Sequence, residues 1–331
     1  MHSLGKRSTL AWLLKAGLAP CMGALSFSAL AQEKNTVLVV PYTPGGTTDI
    51  LGRIIAQKLG ESLATTVIVD NRPGAGTSIG ADLVARSPAD GKTLLMATST
   101  TLAVNPWLYK KLSYNPVTDF TPIALVASVP LAVVVHPSVE AKTFADLVAL
   151  AKSRSNGLNY ASAGNGSPHH LVAEMLKSAT GARLVHVPYR GSAPALSDIV
   201  AGHVSVMFTD IAPALPFIQS GKLRVLTVTS SRRVPALPNV PTIAESRIPG
   251  TAGFEAAAWQ GVVAPAGTPQ ATIDKLSTEI IRIMSLPEVK TRLEKDGVEI
   301  RTGTSTQFSA YLRSELPRWE KVVKDSGATV D

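Results

Sequence analysis

Apolar runs and polar clusters alternate along this chain in the rhythm of an α/β protein. Val37 to Val40 is a continuous apolar run rich in β-branched residues, as a strand buried on both faces requires, and Pro41 and Pro44 end it. Gly45 and Gly46 follow, then Thr47, Thr48 and Asp49, residue types that cap helices. Ile50, Leu51, Ile54, Ile55 and Leu59 come next at the spacing of one helix face. Val67 to Val69 and Thr93 to Ala97 read as strands, with a helix from about Ile79 to Arg86 between them. Leu131 to Val135 is a buried strand closed by His136-Pro137, and Phe144 to Lys152 is a helix. Leu158 to Ala161, Leu184 to Val187, Val204 to Phe208 and Leu223 to Thr229 continue the strand series; helices run through Leu171 to Leu176 and from Pro194 to Ala201. The Pro-rich stretch from Val234 to Gly250 has no period and reads as loop. From Thr268 the chain is helical to Leu286, then from Glu288 to Asp296, and finally from Thr306 to Lys324. Strands alternating with helices predict a doubly wound, mostly parallel sheet.

A chain of 331 residues exceeds one comfortable core, so two domains are expected. Crossovers near Leu131 to Val135 and near Trp259 to Val263 put residues 32–132 with 255–331 in one lobe and 133–254 in the other. Two crossings make a hinge with a cleft. Ligands of open α/β sheets sit at the carboxyl ends of strands, and Gly, Ser and Thr gather at those ends here: Thr43 to Asp49, Thr98 to Thr101, Ser162 to Ser167, Tyr189 to Ser192, and Thr209-Asp210.

The first residues change the charge and the compartment. Lys6, Arg7 and Lys15 precede an apolar run from Ala16 to Leu30 that closes on Ala29-Leu30-Ala31, so residues 1–31 read as a signal peptide and the mature chain starts at Gln32. The run is too short to span a membrane. Removing those three cations takes the net charge from +8 to +5, since 8 − 3 = 5. The remaining Lys and Arg are scattered, with no run longer than a pair, which argues against nucleic acid and for a general pull on anionic solutes. Cys21 is the only cysteine and falls inside the removed segment, which leaves no disulfide and no thiol chemistry.

The loop from Thr43 to Thr48 is the leading candidate site. A glycine pair that lets backbone approach a ligand, followed by a helix whose first N–H groups point into the loop, suits a carboxylate. An ordinary βα turn whose Thr and Asp only cap is the alternative. Gly164-Asn165-Gly166-Ser167 repeats the logic in the second half, with Ser167 able to cap the helix that Pro168 starts. His169 and His170 suggest a metal, but neighbours on a helix diverge by about 100°, and only His170 with Glu174 has ligand spacing; no third ligand is apparent and no metal is expected. Gly76-Thr77-Ser78-Ile79-Gly80 matches the G-x-S-x-G of serine hydrolases, yet Asn71 to Ala75 intervene between strand and Ser78, and the third glycine of a dinucleotide fingerprint is missing. Tyr189 offers a ring and a hydroxyl, Arg190 a solvated cation, and Asp49 and Asp210 are carboxylates from different loops that either cap or face the cleft.

Long stretches such as VPYTPGGTTDILGRIIAQKL, VIVDNRPGAGTSIGADLVARSPADGKTLL, LNYASAGNGSPHHLVAEMLK and HVPYRGSAPALSDIVAGHVSVMF resemble the Bug family, the periplasmic solute-binding proteins of tripartite tricarboxylate transporters. The resemblance covers nearly the whole mature chain. It implies a periplasmic binding protein of type II-like Venus-flytrap form, two doubly wound α/β lobes joined by two crossovers, with no enzymatic activity and no cofactor. In such proteins two loops act as pincers on a ligand carboxylate, which maps onto Thr43, Gly45, Gly46, Thr47 and Asp49 and onto Gly164, Gly166, Ser167 and His169. Ser99, Thr100, Tyr189 and Asp210 line the remainder. The implied partners are a small organic acid (a di- or tricarboxylate, an acidic amino acid or an aromatic acid) and membrane permease subunits, with the receptor itself a monomer. TPGGTTD departs from the family's usual PPGG followed by Gly or Ser, adding bulk and hydroxyls to the first loop. A ligand sensor for a two-component system, and an exported hydrolase using Ser78, are the alternative functions.

Overall fold

The computed structural model describes residues 35–330, so the expected signal segment lies outside the described residues. In chain order the elements are β1 (Thr36–Val40), α1 (Thr47–Leu63), β2 (Val67–Asn71), α2 (Ser78–Ala85) and β3 (Thr93–Thr98). A π-helical turn at Thr100–Val104 leads into α3 (Asn105–Leu108), then β4 (Phe120–Val135), α4 (Phe144–Ser153), β5 (Leu158–Ser162) and α5 (Pro168–Thr180). They are followed by β6 (Leu184–Pro188), α6 (Ser192–Val200), β7 (Val206–Asp210), α7 (Ile211–Gln219), β8 (Arg224–Val228) and β9 (Ala257–Pro265). The chain closes with α8 (Gln270–Met284), α9 (Pro287–Lys295), β10 (Glu299–Gly303) and α10 (Ser305–Ser326).

One ten-stranded sheet runs β2-β1-β3-β9-β4-β7-β5-β6, with β10 and β8 also on β4. The sheet is mixed rather than mostly parallel. β1 is parallel to β2 and β3, and β5 to β6 and β7, as βα units require. Every pairing made by β4 and β9 is antiparallel.

β4 is the strand on which the two halves meet. Phe120 to Pro130 pairs with β9, and Leu131 to Val135 pairs with β7 and β8. Sequence reading recovers only its second part, because Pro122 and Pro130 interrupt the run. The first is absorbed where the register shifts, and the second stands where the strand changes partners, so no continuous ladder bond is lost there. The burial follows the pleat. Leu131, Val133 and Val135 enter one core with Phe144, Tyr160 and Phe208, whereas Ala132 and Val134 enter another with Leu196, Met207 and Ile211. In the other half, Leu38 and Val40 pack with Ile55 and Ile280 on one face, while Val39 packs with Trp259, Phe308 and Trp319 on the opposite face. Sheets covered on both faces explain the continuous apolar runs.

Caps set several helix starts. Thr143 and Asp146 form a capping box before α4, as do Thr304 and Gln307 before α10, and the Ser167 side chain accepts from the His170 N–H before α5. α7 has no clear sequence signal because Pro213 and Pro216 lie in it. Pro213 sits in the first turn, where no N–H is needed, and Pro216 is tolerated inside a helix of only nine residues. β10 is a polar, largely exposed strand on β4 and carries no hydrophobic period.

Candidate functional site

The carboxyl ends of β1, β3, β5 and β7 converge on a buried cavity of about 30 Å³, room for about two water molecules. From one half of the sheet it is lined by Tyr42, Gly46, Thr47, Thr48 and Thr98, with Ala258 and Gln260 from β9. From the other come Ala163, Pro168, His169, Ser192 and Asp210. Four helices of eight residues or more begin at this cavity: α1 at Thr47, α5 at Pro168, α6 at Ser192 and α7, whose N-cap Asp210 lines it. The positive ends of their dipoles lie at it, although at α5 Pro168 carries no N–H and the His170 N–H is taken by Ser167 Oγ; no Lys or Arg lines the cavity.

The β1–α1 loop owes its shape to Asp49. Oδ2 of Asp49 accepts from the Gly45 N–H at 3.0 Å and from Arg53 Nε at 2.9 Å; Oδ1 accepts from Asn71 Nδ2 at 3.0 Å. Asn71 Nδ2 also donates to the Tyr42 carbonyl at 3.0 Å, so the carboxylate and amide together fasten both ends of the loop. Burial alone would raise the Asp49 pKa, but the Arg53, Gly45 and Asn71 donors outweigh it and hold the group below its ordinary value. Gly45 adopts φ +93°, the left-handed region that favours glycine. Gly46 has an ordinary extended backbone, and a Cβ there would lie 2.6 Å from Ser192 Oγ, which would have to turn away.

On the facing side, His169 and Asp210 form a pair. His169 Nδ1 accepts from the Ala163 N–H at 3.3 Å, which assigns the ring proton to Nε2, and Nε2 lies 3.1 Å from Asp210 Oδ1. Burial would raise the Asp210 pKa; His169 and the Thr47 hydroxyl and N–H outweigh it, so the carboxyl is held below its ordinary value. Thr47 faces Asp210, although its Oγ1 makes no well-aligned hydrogen bond. Gln260 is 4% exposed and its Oε1 also has no protein partner. The Tyr42 hydroxyl lies 3.5 Å from Thr98 Oγ1, and its pKa is raised, chiefly by burial.

Of the residues singled out in sequence, Gly46, Thr47, Thr48, His169 and Asp210 line this cavity. The others surround it. Asp49 and Gly45 turn inward on their own loop, and Thr43 packs against Gly191. Ser99 and Thr100 are buried behind it, with the Thr100 hydroxyl facing Tyr42. Gly164 approaches the Tyr189 carbonyl, Gly166 packs on Leu108 and Val104, and the Ser167 hydroxyl is committed to the Gly164 carbonyl and the His170 N–H. Tyr189 donates to Asp198 at 2.6 Å. The segment opposite Gly45 and Gly46 is thus Ser192-Ala193, rather than the Gly164 to Gly166 turn. Thr98 and Ser192 belong to the strand-end clusters expected from sequence, whereas Tyr42 and Gln260 do not. Gln260 has a signal, a lone amide inside the apolar run Ala257 to Ala264; Tyr42 has none of its own.

Ser78 opens α2 through a 3-10 turn in which Gly76 and Thr77 have positive φ, and its hydroxyl meets Asn105 Nδ2 at 3.4 Å. No histidine base is hydrogen-bonded to Ser78 among the described residues. Among the same residues no group of three or more His, Cys, Asp or Glu side chains is placed to hold a metal, and no helix is long and apolar enough to cross a membrane.

Residues 51–328 match the family described as tripartite tricarboxylate transporter family receptor. Protein BugT of Bordetella pertussis is 35% identical over 318 residues, covering 96% of this chain and 95% of BugT. Among solved structures, Rpa4515 of R. palustris with adipate superimposes with a TM-score of 0.87 at 36% identity, covering 91% of this chain and all of that one. MatC (Rpa3494) of Rhodopseudomonas palustris with bound malate gives 0.81 at 31%, covering 88% and 99%. The mixed α/β sheet described above is therefore the fold of periplasmic binding proteins of this type.

Proposed function

The chain belongs to the tripartite tricarboxylate transporter receptor family, of the Bug type, and from that premise we propose that it captures a small carboxylate in the periplasm and delivers it to membrane permease subunits. The observation that carries this reading is the convergence of the α1, α5, α6 and α7 N-termini on one cavity bounded by both halves of the sheet. Peptide N–H groups and helix dipoles supply the positive field for an anion without a fixed cation. Related receptors hold adipate and malate, which supports an organic acid as ligand here.

At about 30 Å³ the cavity is several-fold too small for such an acid, so capture requires the halves to part and reclose. Residues 32–132 with 255–331 then move as one lobe and 133–254 as the other, hinged where β4 changes partners at Pro130-Leu131 and where the chain returns before β9. Ligand stabilises the closed form by bridging the two. No step of this cycle makes or breaks a covalent bond, so the reading is of a carrier without catalysis; one copy supplies every lining residue, and its export follows cleavage after Ala31.

Thermal-shift and calorimetric titration against linear dicarboxylates, citrate, acidic amino acids, nicotinate and phthalate isomers tests it. At least one carboxylate is expected to raise the melting temperature. Gly46→Val is expected to lower affinity at least ten-fold without lowering the melting temperature, because the backbone tolerates valine while its branched side chain fills the gap to Ser192. No response to any acid, or wild-type affinity in the valine variant, overturns the reading.

A further inference from the structure

We propose that Asp210 makes this receptor selective for acids that carry a hydrogen-bond donor, a hydroxyl or an ammonium group, beside the captured carboxylate. The inference rests on the capture function above and narrows its ligand class.

The cavity has two chemically distinct sides. The Gly46 to Thr48 segment and Ser192 present donors from the starts of α1 and α6, which suit a carboxylate. Across from them stand two acceptors, the Asp210 carboxylate and Gln260 Oε1, the latter buried without a protein partner. A buried acceptor without a partner is costly unless the closed complex supplies a donor.

Asp210 is built to accept. His169 cannot offer the ligand a side-chain proton in its place, because Nδ1 is taken by the Ala163 N–H and the Nε2 proton points at Asp210 Oδ1. That bond fixes the carboxylate's orientation through Oδ1, and Thr47 faces the same carboxylate from the start of α1. The carboxyl is held ionised by His169 and Thr47 in spite of its burial. With no Lys or Arg among the lining residues, a second ligand carboxylate brought against Asp210 meets a like charge, whereas a hydroxyl or ammonium meets an acceptor. A donor hydrogen-bonded to an ionised, water-excluded carboxylate typically separates matched ligands on the order of ten- to a hundred-fold.

The test is isothermal titration of the mature wild-type chain with the matched acids succinate, malate and aspartate, and with adipate as a longer acid lacking a donor. Malate or aspartate is expected to bind at least ten-fold more tightly than succinate and adipate. In Asp210→Asn, whose amide keeps an acceptor for His169 and turns a donor toward the ligand, that preference is expected to collapse to within about three-fold. Succinate or adipate binding wild type as tightly as the donor-bearing acids overturns the selectivity while leaving carboxylate capture standing. A preference that persists undiminished in folded Asp210→Asn overturns the role of Asp210. Absence of binding by every acid of the wider panel overturns capture itself, and this inference with it. The wild-type comparison is decisive even if the variant does not fold.

Discussion

Asp49→Asn isolates the device that shapes the β1–α1 loop. All three partners of this carboxylate are donors: the Gly45 N–H and Arg53 Nε on Oδ2, and Asn71 Nδ2 on Oδ1. An asparagine keeps the shape but has one acceptor oxygen. Placing that oxygen at the Oδ2 position saves the Gly45 and Arg53 bonds and turns an NH2 toward the NH2 of Asn71. Flipping Asn71 relieves the clash but forfeits its bonds to the Tyr42 carbonyl and to Arg53 Nη2. The variant therefore loses one hydrogen bond to a charged group, and the surviving bonds lose their charge assistance. Bonds to charged groups contribute about 1.5–3 kcal/mol each. Arg53 is 55% exposed, so its share is that of a surface pair, under about 1 kcal/mol. The expected loss is about 2 kcal/mol, read from urea midpoints at constant m-value, or a fall in melting temperature of about 4 °C. Acid supplies a second check. The folded carboxyl titrates below its ordinary value, so its stabilisation is present in full above that value and is lost as pH falls through the folded pKa. The gap between wild type and variant should be constant near neutrality and close in strong acid. A variant within about 0.5 kcal/mol of wild type at pH 7, or a gap that widens in acid, refutes the account of the loop.

Two further predictions concern the frame around the site. Glu315 on α10 is 4% exposed and accepts from the indole N–H groups of Trp259 at 2.9 Å and Trp319 at 2.8 Å, which ties the last helix to β9. Glu315→Leu leaves two buried indole donors without an acceptor and is expected to cost about 2–5 kcal/mol, with altered tryptophan emission; unchanged stability refutes the tie. His186 stacks on His170 at 4.0 Å between ring centroids, and burial, with the neighbouring His170 and Lys177 charges, pushes its pKa down to about 3. The unfolded chain takes up that proton first, so stability should decline as pH falls from about 6.5 towards 3. His186→Leu should flatten that decline, and an equally steep acid limb in the variant refutes the assignment.

What the sequence disclosed about the site divides along the range of the interactions involved. The strand ends and helix starts that bear Gly46, Thr47, His169 and Asp210 are local, set by runs, breakers and caps within a few residues, and they were legible. Which ends meet is not local. Gln260 reaches the cavity because β9 pairs with β3 through Thr98↔Gln260, across more than 160 positions, and no short-range pattern encodes that pairing. The same limit governs residues whose identity was read but whose orientation was not. Asp49 is compatible in sequence with a ligand-facing carboxylate and with a loop brace; Asn71, at the far end of β2, decides for the brace by offering one amide to both Tyr42 and Asp49. Ser167 has the chemistry of a ligand contact and spends it on its own helix. Substitutions at the two kinds of residue should therefore differ in kind. Changing a brace such as Asp49 lowers stability and weakens every ligand alike, whereas changing Asp210 alters which ligand is preferred. Equal affinity losses for succinate, malate and aspartate in Asp210→Asn, matching the pattern in Asp49→Asn, would place Asp210 among the braces.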